Sequence, residues 1–182
     1  MKPVELIDMA LISALTGDRE SLFTHIWERY RKKLYYYITS VMHCPGEDGE
    51  DLLQEIMMKV YNGLDRFRSG SSLNGWIYAI ARHHCIDYKR RADCRPCGEQ
   101  FRDCDGGEPD PFEAACRGEL HRAIHESLRG MDEADREIVY LRHFEGLRYK
   151  TIGAVIGMNE NSVKTRMRAL EGRLRRDLKE WL

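Results

Sequence analysis

The segment GLRYKTIGAVIGMN, residues 146–159, contains the most informative pattern in the sequence. A glycine just past the end of a helix supplies the left-handed cap, and Gly146 and Gly157 both occupy such positions. The residues between them have the length of a short helix, and a longer basic helix follows. A short helix, a tight glycine turn and a second helix form the helix-turn-helix, which lays its second helix in the major groove of DNA. The sequence therefore predicts a DNA-binding unit here.

The predicted second helix of this unit, 160–181, combines an apolar stripe with a basic N-terminal part. The stripe comprises Val163, Met167, Leu170, Leu174 and Leu178. Cationic side chains near the helix start can neutralise phosphates, and an arginine can bind guanine through a bidentate fork. An amphipathic helix with a solvated basic face is the alternative, and the preceding short helix and glycine turn argue against it. The candidate DNA-contacting residues are Arg142, Asn161, Ser162, Lys164, Thr165, Arg166 and Arg168.

Charge is distributed unevenly along the chain, although the formal net charge is only −1. Residues 92–119 contain eight acidic and three basic side chains, whereas residues 161–179 contain seven basic and two acidic ones. An acidic middle and a basic tail suit a protein that binds a polyanion with its C-terminal part.

Hydrophobic residues recur at three- and four-residue steps almost throughout the chain, and no stretch alternates cleanly with a period of two. The prediction is an all-α protein with two small helical domains, residues 1–91 and 112–182. Residues 92–111, rich in proline, glycine and acidic residues, form an extended acidic linker between them. Asp18 is predicted to cap the second of the helices. The predicted helices cover 4–15, 18–43, 50–64, 73–91, 112–128, 132–144, 149–156 and 160–181.

Composition also argues against several classes of protein. No apolar run approaches the roughly 18 residues that a membrane span needs, and the N-terminus lacks a secretory cleavage pattern. We therefore expect a cytoplasmic protein without direct membrane insertion. No arrangement of nucleophile, base and orienting group suggests catalysis, so neither a small-molecule substrate nor a cofactor is expected.

Four cysteines lie in or beside the predicted linker, namely Cys94, Cys97, Cys104 and Cys116. The first two have the separation that lets neighbouring thiolates reach one zinc ion, but the second two have no standard spacing. Three interpretations stay open: reduced thiols, a redox-active pair and a metal site. Cys85, on the apolar fourth helix, is predicted to lie in the core.

The N-terminal domain resembles the second conserved region of extracytoplasmic-function sigma factors. The resemblance rests on DLLQE at 51–55, KVY at 59–61, LDRF at 64–67, GWIYAIAR at 75–82, Asp87 and KRR at 89–91. Residues 128–178 are similar to the fourth region of that family, through DRE at 135–137, LR at 141–142, EGL at 145–147 and SVKTR at 162–166. The resemblance implies a sigma factor that binds core RNA polymerase and promoter DNA. Members of this family are usually held inactive by an anti-sigma factor and are not enzymes.

The resemblance also implies roles for particular residues. The −35 element would be read by the DNA-contacting candidates of the C-terminal domain. Docking on core polymerase would involve Asp51, Leu52, Gln54 and Glu55, for which a solvated acidic face is the alternative. Recognition and melting of the −10 element would involve Arg68, Ser69, Ser71, Ser72, Asn74, Trp76, Arg82, His83 and Lys89. His83 stands where the family commonly has Asn, and Trp76 also fits plain core packing.

The linker resembles, in position and charge, the family segment that threads toward the polymerase active centre, and a disordered tether is the alternative. Two other functions also stay open. A stand-alone DNA-binding regulator would explain the C-terminal half but would leave the helices at 51–55 and 76–78 without a role. A metal- or redox-responsive switch built on the sigma scaffold would explain the cysteines.

Overall fold

Helices form every regular element among the residues that the structure describes. The structure, a computed structural model, describes residues 18–44, 46–67, 72–93, 126–128 and 130–179. The chain divides into two compact units, 1–104 and 105–182, and their boundary falls within the predicted linker. The all-α prediction is confirmed. The predicted helix 4–15, the linker and most of the predicted helix 112–128 lie outside the described residues.

In its described part, the first unit contains three helices and two short helical turns. Helix α1 (Arg19–Tyr36) continues into a π-helical turn (Tyr37–Val41), α2 (Gly46–Gly63) ends in a 3-10 turn (Leu64–Arg66), and α3 is Leu73–Asp93. Asp18 caps α1 as predicted, because its carboxylate accepts a hydrogen bond of 3.1 Å from the backbone N–H of Ser21. This satisfies one of the amides that a helix start leaves without an intrahelical partner.

The core of the first unit lies between the three helices. The four residues of α2 that periodicity placed inward are all buried, namely Leu53, Ile56, Met57 and Val60. Cys85 of α3 is buried as predicted, as are Ile77 and Ala81. Trp76, Ile80 and Ile86 share the helical spacing of these residues but are only partly buried. Instead Tyr78 completes the buried row, so the inward face of α3 is rotated from the one that the sequence suggested.

The second unit is built around the predicted glycine turns. It contains α4 (Glu133–Val139), a π-helical turn (Tyr140–Phe144), α5 (Tyr149–Ile156) and α6 (Glu160–Asp177). Gly146 and Gly157 have φ angles of 67° and 75°, which confirms both left-handed positions. Asn159 caps α6 by accepting a 2.8 Å hydrogen bond from the N–H of Ser162. The bounds of α5 agree with the prediction, whereas α6 ends four residues before its predicted end.

Candidate nucleic-acid interface

The helix-turn-helix depends on a close backbone approach between α5 and the turn that follows it. A Cβ atom at Gly153 would lie 2.4 Å from the carbonyl oxygen of Met158. Only a residue without a side chain fits at this point of α5. The left-handed Gly157 and the Asn159 cap then start α6 at a fixed angle to α5. The turn therefore holds α6 as a projecting helix.

One face of α6 is exposed among the described residues of this unit. Val163, Met167 and Leu170 are buried on the inward face. Three predicted DNA-contacting residues are exposed, namely Asn161, Thr165 and Arg168. They follow one another at steps of four and three residues, so they share the outward face of the helix. A helix in the major groove presents such a row to base edges.

The remaining polar candidates on α6 lie at the flanks of that outward face. Ser162 and Lys164 are partly buried. The ammonium group of Lys164 lies 2.6 Å from a carboxylate oxygen of Glu160, one turn earlier. An exposed pair of this kind contributes little to stability and breaks easily when a phosphate competes.

Arg166 is engaged within the second unit. Its guanidinium donates a 3.0 Å hydrogen bond to the Asp135 carboxylate and lies 3.7 Å from a carboxylate oxygen of Asp132. Asp132 is the cap of α4. Arg166 therefore ties α6 to the start of α4, and a bidentate contact with guanine would require this tie to break. No local sequence signal indicates this contact, because Arg166 and Asp135 are 31 residues apart.

Arg142, the predicted candidate outside α6, is also held by its own unit. Its guanidinium donates a 3.0 Å hydrogen bond to the carbonyl of Leu147 and lies 4.5 Å from the centre of the Tyr149 ring. These contacts fix the connection between the π-helical turn and α5, and they leave the side chain only partly accessible.

The predicted docking residues lie on α2, and three of the four are exposed: Asp51, Gln54 and Glu55. Leu52 is 3% exposed, so it packs in the core and supports the face from beneath. The sequence interpretation overlooked Met58, which is 59% exposed. Met58 follows Gln54 by four residues and Glu55 by three, so it lies on the same face. We call Asp51, Gln54, Glu55 and Met58 the docking face.

The predicted −10 residues are distributed over surface, core and the part of the chain that is not described. Arg68, Ser69 and Ser71 lie outside the described residues. Asn74 is buried, and the hydroxyl of Ser72 accepts a hydrogen bond of 3.2 Å from the N–H of Gly75 at the start of α3. These two residues shape the entry of the helix. The more accessible predicted residues of α3 are Trp76, Arg82, His83 and Lys89.

Trp76 lies partly in the core and partly at the surface. Its ring is 5.2 Å from that of Phe67, and a Cβ at Gly63 would lie 2.8 Å from it. The ring also lines an open depression of about 490 Å³ whose wall includes Arg66, Ile80 and His83. Both roles weighed for Trp76, packing and stacking, are therefore compatible with its position.

A buried histidine connects the docking face with α3. His84 is 4% exposed, and its ring nitrogens lie 2.6 Å from the Lys59 ammonium and 2.6 Å from a Glu55 carboxylate oxygen. Burial, and next the positive charge of Lys59, lower the pKa of His84 below its ordinary value of 6.5. The sequence interpretation did not identify His84, because a single histidine in an apolar helix carries no local signal.

The cysteine candidates Cys94, Cys97, Cys104 and Cys116 lie outside the described residues. Within the described ranges, no group of three or more histidine, cysteine or acidic side chains could hold a metal ion. The same part of the chain contains no helix long and apolar enough to cross a membrane.

A helix-turn-helix with a basic outward helix, accompanied by a separate helical unit with an acidic surface helix, defines a class of two-unit DNA-binding proteins. The family profile of Sigma-70 region 2 matches residues 26–94, and that of Sigma-70 region 4 matches residues 121–170. Together these matches cover about two thirds of the chain. The chain belongs to the sigma-70 family of RNA polymerase sigma factors, which are not enzymes in the catalytic sense.

Similar proteins agree with this assignment. The RNA polymerase sigma-H factor of Pseudomonas aeruginosa is 26% identical over 170 residues, which are 88% of each chain. The ECF RNA polymerase sigma-E factor of Escherichia coli K12 is 25% identical over 176 residues, which are 90% of each chain. The extracytoplasmic-function resemblance is thereby confirmed, as is a role in promoter-directed transcription.

Two solved structures share the fold. CnrH, in complex with the cytosolic domain of CnrY, gives a TM-score of 0.64 at 20% identity and covers 95% of this chain and 97% of its own. The sigma factor RpoE of Bartonella quintana, in complex with the anti-sigma factor NepR, gives 0.67 at 22% identity and covers 86% and 96%.

Proposed function

We propose that this sigma factor assigns its two tasks to separate helical domains, 1–91 and 112–182, joined by an acidic linker at 92–111. The first domain docks on core RNA polymerase and opens the −10 element. The second reads the −35 element as duplex DNA. The arrangement of α6 carries the proposal: Asn161, Thr165 and Arg168 form one exposed row on a helix that a glycine turn holds outward.

The docking face has the composition of a small protein-binding surface. Its carboxylates and amide can accept or donate hydrogen bonds, and the exposed thioether of Met58 adds an adaptable apolar contact at one end. Interfaces commonly combine apolar anchors with polar groups that fix orientation. The partner would be a helical surface of polymerase that carries arginine or lysine side chains complementary to Asp51 and Glu55.

The −35 element would be read mainly by the outward row of α6. In this arrangement Arg168 and Thr165 reach base edges, and Lys164 exchanges Glu160 for a phosphate. Arg166, also predicted to contact DNA, is bound to Asp135 in the free protein and would have to release it to reach a base.

The −10 element would be held by the accessible part of α3 and the turn before it. Arg82, His83 and Lys89 supply positive or hydrogen-bonding groups, and Trp76 with Ile80 supplies an apolar wall. Unstacked bases need such walls, and the phosphates of a single strand need basic side chains. With His83 in place of the family's usual Asn, the base preference at this element would be particular to this chain.

An anti-sigma factor is the expected regulator. CnrH was solved with the cytosolic domain of CnrY and RpoE with the anti-sigma factor NepR, and this chain has their fold. A protein that exchanges such an inhibitor for core polymerase would act where polymerase is, in the cytoplasm. It would have no catalytic activity of its own.

Run-off transcription with purified core polymerase tests the proposal. The full chain should start transcripts at specific genomic promoters without another sigma factor. Arg168→Ala should reduce promoter-specific initiation while core binding is kept, and Asp51→Ala should lower core affinity first. A stand-alone regulator would yield no transcript from core enzyme alone, and that result would refute the proposal.

A further inference from the structure

His84 is the buried group of the first unit that directly touches the docking face. Its imidazole lies between Lys59 and Glu55, which are one turn apart on α2. A glutamate and a lysine four residues apart on a helix could form a direct ion pair. The ring of His84, coming from α3, is instead placed within hydrogen-bond distance of both.

Donor and acceptor chemistry fixes the tautomer of the ring. A lysine ammonium only donates hydrogen bonds, so Nδ1 of His84 must accept from Lys59. Nε2 therefore carries the hydrogen and donates to the carboxylate of Glu55. The lowered pKa keeps the ring neutral near pH 7, which allows both contacts at once. Arg91 acts on His84 in the same direction as Lys59, and Glu55 opposes them.

The consequence for Glu55 is a fixed orientation on an exposed surface. The Glu55 side chain is 60% exposed, and one of its oxygens is bound to the ring of His84. This contact restricts the carboxylate while most of the Glu55 side chain stays exposed to a partner. A free glutamate would sample several rotamers, and binding would have to restrict them.

We propose that His84 is a positioning residue for polymerase docking: it presets the Glu55 carboxylate and so links the docking face to α3. This rests on the proposed docking role of α2. The recognised group is a cationic side chain of the polymerase surface, which meets a carboxylate already oriented to receive it. His84 itself does not touch polymerase.

The effect of losing His84 follows from the freedom that Glu55 regains. Restricting one such side chain on binding costs an amount that corresponds to about 3- to 10-fold in affinity. His84→Leu keeps the bulk of the buried side chain but removes both hydrogen bonds. His84→Gln keeps an oxygen that can accept from Lys59 and an amide that can donate to Glu55. The two variants thus separate hydrogen bonding from packing.

The test is a titration of labelled full-length chain with core polymerase for wild type, His84→Leu, His84→Gln, Glu55→Ala and the double variant with His84→Leu and Glu55→Ala. His84→Leu should bind about 3- to 10-fold more weakly, and His84→Gln should recover most of this loss. In the Glu55→Ala background, His84→Leu should have no further effect. His25→Ala, on an exposed position of α1, is the matched surface control.

Several results would overturn the proposal. Wild-type affinity in His84→Leu would show that Glu55 needs no positioning. If His84→Leu lowers core affinity equally in the wild-type and the Glu55→Ala backgrounds, its effect is a structural one on α2 and α3. The same conclusion would follow if His84→Gln, at equal thermal stability, did not recover the affinity lost in His84→Leu. These outcomes differ from failure of the proposed function, in which the wild-type chain itself would not bind core polymerase.

Discussion

Three glycines of the second unit should respond to alanine in graded and opposite ways. Gly153 lies in α5 against the turn, and Gly157 is the left-handed residue after α5. Gly172 lies in α6, and apart from its chain neighbours and the backbone of its own helix no atom of the described residues lies within 4 Å of a Cβ built there. A general effect of glycine replacement would have one sign at all three positions. The structure predicts two signs, because helix propensity and steric fit act separately.

At Gly153 the clash outweighs the gain in helix propensity. The new Cβ would lie 2.4 Å from the Met158 carbonyl oxygen, so the turn must move by about 1 Å to reach ordinary contact. A backbone carbonyl cannot rotate away, so we take the upper end of overpacking costs, about 3 kcal/mol. Alanine recovers about 1 kcal/mol of helix propensity. The net destabilisation is about 2 kcal/mol.

The expected stability changes at Gly157 and Gly172 provide the comparison for Gly153→Ala. Alanine at Gly157 meets no atom but must keep a φ of 75°, which costs about 1 kcal/mol. Alanine at Gly172 has open space inside a helix, so it should stabilise the unit by about 1 kcal/mol. Gly153→Ala and Gly172→Ala should therefore differ by about 3 kcal/mol.

Native-state hydrogen exchange of the full chain, followed by mass spectrometry, measures this difference within the second unit. Peptides from α5 and α6 should exchange about 30-fold faster in Gly153→Ala and about 5-fold slower in Gly172→Ala. Gly153→Ala should also bind a −35 duplex more weakly, because the angle between α5 and α6 changes. Equal exchange rates in the two variants would refute the close approach at Met158 and the account of the turn built on it.

Three further predictions concern charged and titratable groups. Arg166→Ala should lower the free energy of unfolding of the second unit by about 1 kcal/mol. Arg168→Ala should leave this stability unchanged and reduce by about one the number of counterions released on duplex binding, as measured from the salt dependence of affinity. A weakened duplex affinity in Arg166→Ala at unchanged stability would contradict this assignment. Asp51→Ala should weaken core binding measured by titration and leave −35 duplex affinity intact, and equal loss of both would indicate misfolding. Because the pKa of folded His84 is lowered from 6.5, the unfolded chain takes up its proton first. The contribution of His84 to stability is thus complete above about pH 6.5 and is lost as pH falls through the folded pKa. The urea midpoints of wild type and His84→Gln should therefore diverge below about pH 6.5. Midpoints that change with pH in parallel would contradict the assignment.

Local signals in the sequence predicted much of the fold. Asp18 caps a helix and Gly146 and Gly157 mark left-handed turns, all three as predicted. Asn159, which caps α6, is a local signal of the same kind that the sequence interpretation did not use. Such signals act over one helical turn, so a single sequence contains them in full. The same holds for the inward row of α2, which recurs at three- and four-residue steps.

The errors and omissions arose where the choice depends on tertiary contacts. In α3 two rows of apolar residues, one through Trp76 and Ile80 and one through Ile77 and Ala81, fit the helical period equally well. Only the position of α2 decides which row is buried. His84 and Glu55 are 29 residues apart, and nothing in the local sequence of either residue indicates the other.

Counting basic residues in the C-terminal segment overstates the charge that faces DNA. Arg166 is bound to Asp135, and Arg173 donates a 3.0 Å hydrogen bond to the carbonyl of Gly130. Both arginines lie on one flank of α6, seven residues apart; Arg166 holds it to the start of α4, and Arg173 holds it to the turn before α4. Among the described residues, Arg168 has no carboxylate within ion-pair distance and lies on the outward face. Phosphate contacts made by α6 should therefore release fewer counterions than its six basic residues suggest. A steeper salt dependence would mean that the flank arginines leave their intramolecular partners on binding.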